Sequence, residues 1–198
     1  MVFLENDLSS YYRGISNLHQ KIRGEIKKNR IIRVRRGIYS TDPNADYLYI
    51  ANKINNNSYI SFDYALYYYG LIPECVRVIT SATMNVNKKK TFITNTHKYT
   101  YRDINSRVFF EGINCIVDSN HNNVRIASKE KAICDKLSTI PQIRTLKDIN
   151  NILFNDLRID KDSLYNLNIS ELVRIARLYH KPTLNTFAKF LEKEVSHK

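Results

Sequence analysis

The residues whose types and spacing most clearly suggest a binding function lie in the first forty positions, and they are basic. Residues 31–40 hold Arg33, Arg35 and Arg36, and Gly37 follows them directly. Residues that favour β-structure flank this point, and glycine accepts the positive φ that a tight hairpin needs. The stretch therefore predicts a two-stranded ribbon with arginines at its tip. Guanidinium groups placed in this way suit phosphate oxygens, which they contact through paired hydrogen bonds.

A second set of polar residues precedes the ribbon at helical spacing. Apolar residues recur there every three to four positions, which predicts a helix over residues 16–28 with Ser16 as its N-cap. The face opposite the apolar stripe carries Asn17, Gln20 and Arg23. In a major groove, asparagine and glutamine pair with adenine and arginine pairs with guanine. This face is therefore a candidate for reading base edges.

A helix followed at once by a basic hairpin is the pattern of a winged helix. The helix would enter the major groove, while Arg35 and Arg36 would enter or straddle the adjacent minor groove. A basic helix alone is often only a solvated face, but the basic hairpin next to it favours nucleic acid. The candidate DNA-binding residues are Ser16, Asn17, Gln20, Lys21, Arg23, Lys27, Lys28, Arg30, Arg33, Arg35 and Arg36.

The charge of the chain agrees with a polyanionic partner. It has 31 Lys and Arg against 19 Asp and Glu, a net charge of +12. Residues 1–40 carry nine basic and three acidic residues, so 9 − 3 = +6 of this charge falls in about a fifth of the chain. Such asymmetry is typical of nucleic-acid binding. RNA, or an acidic protein such as a toxin, is the alternative partner for the same basic surface.

Catalytic patterns are weak by comparison. The chain has no P-loop, GxGxxG or GxSxG motif. Its three cysteines are far apart, and its histidines occur singly, at positions 19, 97, 121, 180 and 197. Asp63, Glu130 and Asp135 form a metal site only if the fold brings them together. We expect no enzyme activity, cofactor or metal, with a metal-dependent nuclease or nucleotidyltransferase as the enzymatic alternative.

The remaining chain predicts an α+β protein in two parts. Residues 1–41 are predicted to form a winged helix-turn-helix, and residues 42–198 a mixed α/β domain with an antiparallel or mixed sheet and C-terminal helices. Helices are predicted at 2–13, from Asp42-Pro43 onward, at 62–69 after a Ser61 cap, at 129–137 after a Ser128 cap, and at 145–154, 160–167, 170–179 and 183–194. Strands are predicted at 59–60, 76–80, 91–94, 98–101, 108–110, 113–117 and 124–127, most of them in a meander.

Membrane and export signals are missing from the sequence. No apolar run approaches the ~18 residues of a membrane span, and the N-terminal residues lack the pattern of a signal peptide. The expectation is a cytoplasmic protein with no membrane partner.

Several segments, taken in order from about residue 16 to 160, resemble the AbiEi family of abortive-infection antitoxins. They are 33–39 (Arg-Val-Arg-Arg-Gly-Ile-Tyr), 59–61 (Tyr-Ile-Ser), 65–66 (Ala-Leu), 70–73 (Gly-Leu-Ile-Pro), 79–83 (Ile-Thr-Ser-Ala-Thr), 126–132 (Ile-Ala-Ser-Lys-Glu-Lys-Ala) and 134–135 (Cys-Asp). Each piece is short, and the combination is what carries the resemblance. The chain departs from many relatives in its short N-terminal helical region, where they have a fuller three-helix unit.

The resemblance implies a type IV toxin–antitoxin protein with a role in phage defence. Its N-terminal winged helix would bind inverted repeats in its own promoter and act as a transcriptional regulator. Its C-terminal domain would be the antitoxin, acting against a nucleotidyltransferase toxin encoded next to it. In that family neutralisation need not involve a stable complex, and the resemblance assigns no neutralising residues.

Overall fold

The computed structural model describes residues 2–86 and 89–195, and this part of the chain is a mixed α and β protein. It contains nine α-helices, a three-stranded sheet and a six-stranded sheet. The coarse α+β prediction is confirmed. His197 lies outside the described residues.

The first forty residues form two helices and a small antiparallel sheet. Their elements are β1 (Val2–Leu4), α1 (Glu5–Tyr11), α2 (Leu18–Lys27), β2 (Ile32–Arg35) and β3 (Ile38–Ser40). The strand order is β1-β3-β2, so the hairpin's second strand is central. Gly37 turns the hairpin with φ +80°, as the sequence predicts. Its carbonyl accepts a 3.0 Å hydrogen bond from the Glu5 N–H, which ties the turn to α1.

Two predictions about this segment are wrong. Residues 2–4 are a strand rather than the start of a helix, because Phe3 pairs with Tyr39 on β3 and the apolar residues alternate between the two faces of the sheet. The cap of α2 is Asn17 and not Ser16, since the Asn17 Oδ1 accepts a 3.0 Å hydrogen bond from the Gln20 N–H. Short polar side chains compete closely for a cap, and one residue decides it.

The rest of the chain alternates helices with the strands of the large sheet. Its helices are α3 (Tyr47–Ile54), α4 (Phe62–Tyr68), α5 (Lys129–Leu137), α6 (Leu146–Asn151), α7 (Lys161–Tyr165), α8 (Ile169–Leu178) and α9 (Pro182–Val195). Its strands are β4 (Ser58–Ile60), β5 (Val78–Thr83), β6 (Lys90–Ile93), β7 (Lys98–Asp103), β8 (Ile113–Val117) and β9 (Asn123–Ala127). A 3₁₀ turn covers Ser106–Val108, and a π-helical turn covers Ile152–Asp156.

The large sheet is mixed, with the order β6-β7-β5-β4-β9-β8. β5 pairs with β7 in parallel, and so does β4 with β9, while the other neighbours are antiparallel. The mixed sheet confirms one of the two predicted forms, but the predicted meander is wrong. β7 and β8 are consecutive in sequence but lie apart in the sheet. The parallel pairs β5–β7 and β4–β9 join strands that are not consecutive, since a parallel pair needs a crossover connection.

Two local predictions in this part are also wrong. α3 begins at Tyr47, because the Asp46 carboxylate accepts hydrogen bonds from the Leu48 and Tyr49 N–H groups. Asp42 instead closes a short turn with the Asn44 N–H. Residues 108–110 are not a strand: Val108 ends the 3₁₀ turn and the next two residues follow it, and Val108 and Phe109 are both buried although they are consecutive.

The small sheet separates two apolar cores. Val2 and Ile38 belong to the main core, which continues through the large sheet and the C-terminal helices. Leu8, Ile22, Ile31 and Tyr39 form a separate small core beneath α1 and α2. Because Ile38 and Tyr39 are adjacent on β3, they point to opposite faces, one into each core. The predicted boundary between residues 41 and 42 stays a prediction, but the wall between the cores is built from residues before it.

Candidate nucleic-acid interface

A basic groove runs between α2 and the β2–β3 hairpin. It encloses about 910 Å³, and its rim carries Asn17, Gln20, Arg23, Arg33 and Arg36. These five residues come from two separate elements, α2 with its N-cap and the β2–β3 hairpin, and the fold brings them together around one space. The apolar floor comes from Ile22, Ile26 and Tyr39.

The exposed face of α2 is polar along its whole length. Gln20, Arg23 and Lys27 lie three and four residues apart, so they share one side of the helix. Gly24 lies among them, and a Cβ added there would meet no atom within 4 Å. A mid-helix glycine costs about 1 kcal/mol relative to alanine, so this bare position is open to a close ligand at some cost in stability.

One acidic residue lies at the edge of the groove. The Glu5 carboxylate is 3.4 Å from the Nδ1 of His19, and both residues border the groove. Three arginines and this single carboxylate line the groove, so the groove has a net positive charge. Its shape and charge suit an extended anion more than a neutral molecule.

Two of the predicted contacts turn away from the groove. The Nζ of Lys21 is 3.1 Å from one oxygen of Glu25, and the Nη1 of Arg30 is 3.7 Å from the other. Glu25 is almost fully buried, and the hydrogen bond from Lys21 lowers the pKa of its carboxyl. Both cations border a second, more apolar cavity on the opposite side of α2. Lys21 and Arg30 therefore mainly neutralise the buried Glu25 carboxylate and are not directed into the groove.

The two arginines at the hairpin tip point in different directions. The guanidinium carbon of Arg35 lies 4.1 Å from the ring centre of Phe92 on β6, and the residue is half-buried. Arg36 is exposed and lines the groove. Of the two arginines predicted to contact DNA, Arg35 is therefore packed on Phe92 and only Arg36 is exposed at the groove.

The remaining predicted contacts lie at the ends of α2. Ser16 is exposed just before the cap, and the Asn17 side-chain carbonyl is engaged in capping, which leaves its amide group as a donor. Lys27 and Lys28 are at least partly exposed in the last turn, where cations are favoured by the helix dipole. Lys27 and Lys28 therefore extend the basic surface beyond the groove at the C-terminal end of α2, while Ser16 adds an uncharged polar residue at the other end.

A second feature is a buried polar cluster under α5, which sequence reasoning missed. Lys131 and Asp135 form an ion pair with 3.3 Å between Nζ and Oδ1, and both side chains are 0% exposed. The carboxylate Oδ2 accepts hydrogen bonds from the Tyr59 hydroxyl at 2.9 Å and from the Ser61 hydroxyl at 2.6 Å. The Tyr179 hydroxyl donates to Oδ1. Ser61 thus directs its hydroxyl to Asp135 and does not cap α4 with it.

Every donor of the buried ammonium group has an acceptor. Besides Asp135, the Nζ of Lys131 donates to the Val108 carbonyl at 2.6 Å and to the Tyr179 hydroxyl at 2.7 Å. Burial lowers the pKa of Lys131, and burial together with the nearby carboxylate raises the pKa of Tyr59 and Tyr179 well above the ordinary tyrosine value. A satisfied network of this kind fixes one arrangement of α5, β4 and α8.

The three carboxylates considered for a metal site do not meet. Asp63 pairs with Lys136 on the surface, Asp135 lies in the buried cluster, and Glu130 accepts a 3.3 Å hydrogen bond from the Asn168 N–H. Within residues 2–86 and 89–195, no three His, Cys, Asp or Glu side chains are grouped as metal ligands. The question of enzyme activity therefore rests on other evidence than this set.

No helix in the described part of the chain is long and apolar enough to span a membrane. Comparison of the chain with protein-family models and with curated proteins finds no match.

Proposed function

We propose that this chain binds duplex DNA through α2 and the β2–β3 hairpin. The observation that carries the proposal is the groove between them, where Gln20, Arg23, Arg33 and Arg36 from two elements face one space. The order of elements supports a winged helix-turn-helix, since two helices lie between β1 and a hairpin whose second strand pairs with β1. With the hairpin on one side and α2 on the other, the basic residues line a groove and are not isolated charges on the surface.

The dimensions of α2 fit the proposal. An α-helix with its side chains is about 10–12 Å across, which matches the width of about 12 Å of a B-DNA major groove, and the ten residues of α2 give about 15 Å of helix to lie in it. With α2 in the DNA major groove, Gln20 and Arg23 face the base edges, while Arg33 and Arg36 on the hairpin lie toward the phosphate backbone of the DNA. Lys21, Arg30 and Arg35 contribute charge at a distance, because their side chains are engaged with Glu25 and Phe92.

We further propose that the protein is an autoregulating antitoxin of a type IV toxin–antitoxin system, opposing a nucleotidyltransferase toxin. This part rests on the AbiEi resemblance. Three of the segments that carry the resemblance, 59–61, 126–132 and 134–135, supply Tyr59, Ser61, Lys131 and Asp135 to the buried cluster. The resemblance thus follows residues that pack together, which supports a shared fold more than a chance likeness of short segments.

Fluorescence anisotropy tests the DNA proposal. The probes are a duplex from the region upstream of the chain's own gene, an unrelated duplex, and a structured RNA, all at the same salt concentration. We expect preference for the upstream duplex, and loss of that preference in Gln20→Ala and Arg23→Ala. We expect Arg33→Ala to weaken binding to every duplex and to reduce the salt slope by about 0.9.

Arg107→Ala is the matched control, since it removes one exposed positive charge on the 3₁₀ turn, outside the residues that line the groove. If the control weakens binding as much as Arg33→Ala, binding is non-specific attraction and the groove assignment is wrong. Tighter binding to the structured RNA than to both duplexes would replace DNA with RNA as the ligand. Co-expression with a neighbouring nucleotidyltransferase gene tests the antitoxin role: growth should recover with the wild-type chain, and failure to recover would refute that role alone.

A further inference from the structure

The two edges of the large sheet differ in how they are protected. At one edge, β6 begins with Lys90 directly after Lys89, and its Phe92 is covered by Arg35. At the other edge, β8 has the sequence Ile-Asn-Cys-Ile-Val, with no charged residue and no proline. Proteins usually guard an edge strand with lysine, proline or a covering element, because its free backbone groups template pairing. β8 has none of the side-chain guards.

The odd-numbered residues of β8 direct their backbone N–H and C=O groups away from β9, toward the open edge of the sheet. The Ser128 N–H donates to the Gly112 carbonyl at 2.7 Å, and the Asp118 N–H donates to the Asn122 carbonyl at 3.0 Å. Both bonds agree with the register in which Cys115 lies opposite Arg125. Hydrogen-bonded pairs alternate in an antiparallel ladder, so the even residues bond to β9. Ile113, Cys115 and Val117 therefore direct their N–H and C=O groups away from the sheet.

The side chains along this edge are apolar and accessible. Val117 is 63% exposed, Cys115 is exposed, and Ile113 and Ile116 are half-buried. Phe110, just before the strand, is 72% exposed. Free backbone groups and accessible apolar side chains thus coincide on β8, which is the combination expected of an edge that pairs with another strand.

We propose that β8 pairs with β8 of a second copy of this chain, antiparallel, about a two-fold axis at Cys115. In this register Cys115 lies opposite its own copy, and Ile113 lies opposite Val117 of the second copy. All outward groups are then used, because the three facing pairs are the odd residues and each pair exchanges two hydrogen bonds. The two six-stranded sheets become one continuous sheet.

Charge and symmetry favour a second copy as the occupant. The chain carries +12, yet the strand itself is uncharged, so two copies meet where their like charges are absent. The acids that flank β8 are not opposed: the register places Asp118 opposite Gly112 and Glu111 opposite Ser119 of the second copy. Closed two-fold dimers are the commonest homo-oligomers, and their interfaces are self-complementary, as antiparallel pairing of β8 with its own copy would be.

Sedimentation velocity of the full chain, without DNA, over a range of concentrations tests the proposal. We expect a species of about twice the 23.3 kDa chain mass. Cys115→Lys sets two like charges opposite each other at the axis, so the dimer dissociation constant should rise by about tenfold or more. Thr91→Lys makes the same kind of change on β6 and should leave the dimer unchanged. Circular dichroism confirms that each variant is folded.

Cross-linking locates the interface independently. In a Cys75→Ser background, Cys115 is the remaining exposed thiol among the described residues. Facing residues in a hydrogen-bonded pair have Cα atoms about 5.5 Å apart, so a short bis-maleimide should join two chains through Cys115. A monomer at every concentration overturns the proposal. So does a dimer that survives Cys115→Lys, or one that the reagent does not join.

Discussion

Arg35 and Arg36 are adjacent arginines at the hairpin tip, and the structure predicts opposite consequences of replacing them with alanine. Arg35 is half-buried against the Phe92 ring, with 4.1 Å between guanidinium carbon and ring centre. Arg36 is exposed at the groove. Each substitution removes one positive charge, so a difference between the two variants reports position and not net charge.

The magnitudes follow from these surroundings. A partly desolvated cation–π contact contributes about 1–2 kcal/mol, so Arg35→Ala should lower the free energy of unfolding by that amount and Tm by about 2–8 °C. Arg36→Ala should change the unfolding free energy by less than about 0.5 kcal/mol, because the side chain is exposed. If Arg36 contacts a phosphate, its loss should reduce the slope of log K against log salt by about 0.9.

Urea unfolding followed by circular dichroism measures the first effect, and anisotropy at several salt concentrations measures the second. Phe92→Leu serves as the partner variant: it should lower stability as Arg35→Ala does, and the double variant should be less destabilised than the sum. A reduced salt slope in Arg35→Ala at unchanged stability would show that this arginine is free for DNA. That result would refute the docking of the hairpin on β6.

Three further predictions concern α2 and the buried cluster. Gly24→Ala should raise the free energy of unfolding by about 0.5–1 kcal/mol, measured in urea, because the added Cβ meets nothing in the protein. The same variant should bind duplex DNA more weakly if α2 lies in the DNA major groove. Equal affinity would contradict that placement. Lys131→Met and Asp135→Asn should each lower the free energy of unfolding by about 3–5 kcal/mol, since either change leaves its partner buried without compensation; a loss below about 1 kcal/mol would mean that the pair is hydrated. The stability that Tyr59 and Tyr179 contribute should be constant up to about pH 10 and fall above it, because the folded state keeps both protonated while the unfolded chain releases those protons. Absorbance at 295 nm checks this, and ionisation of all tyrosines before unfolding would contradict it.

Sequence reasoning predicts best where the determinants are local. The hairpin turn at Gly37 and the Ser128 cap of α5 follow from one or two residues, and both are confirmed. β1 could not be recognised in this way, because its partner Ile38–Ser40 lies more than thirty residues later and three residues are too few to show a period. The order of the strands in the large sheet could not be predicted for the same reason, since its parallel pairs join segments that are distant in sequence.

The candidate site could be predicted as a set but not in its directions. Sequence spacing places Arg23 on the polar face of α2, and the structure agrees. It does not reveal that Lys21 turns to Glu25, since a lysine four residues before a glutamate resembles an ordinary surface pair. Lys131 and Asp135 have the same spacing, yet they lie in the core. Only the packing of other elements over α5 distinguishes these two cases.

The small sheet has a thermodynamic consequence for the whole chain. Ile38 on one of its faces completes the main core, and Tyr39 on the other completes the small one. Removing residues 1–41 would expose part of the main core to water, and the excised segment would lose the support of that core. We therefore expect the two cores to unfold as linked units. A ligand held by α2 and the hairpin adds its binding free energy to the stability of both, in proportion to the logarithm of its concentration.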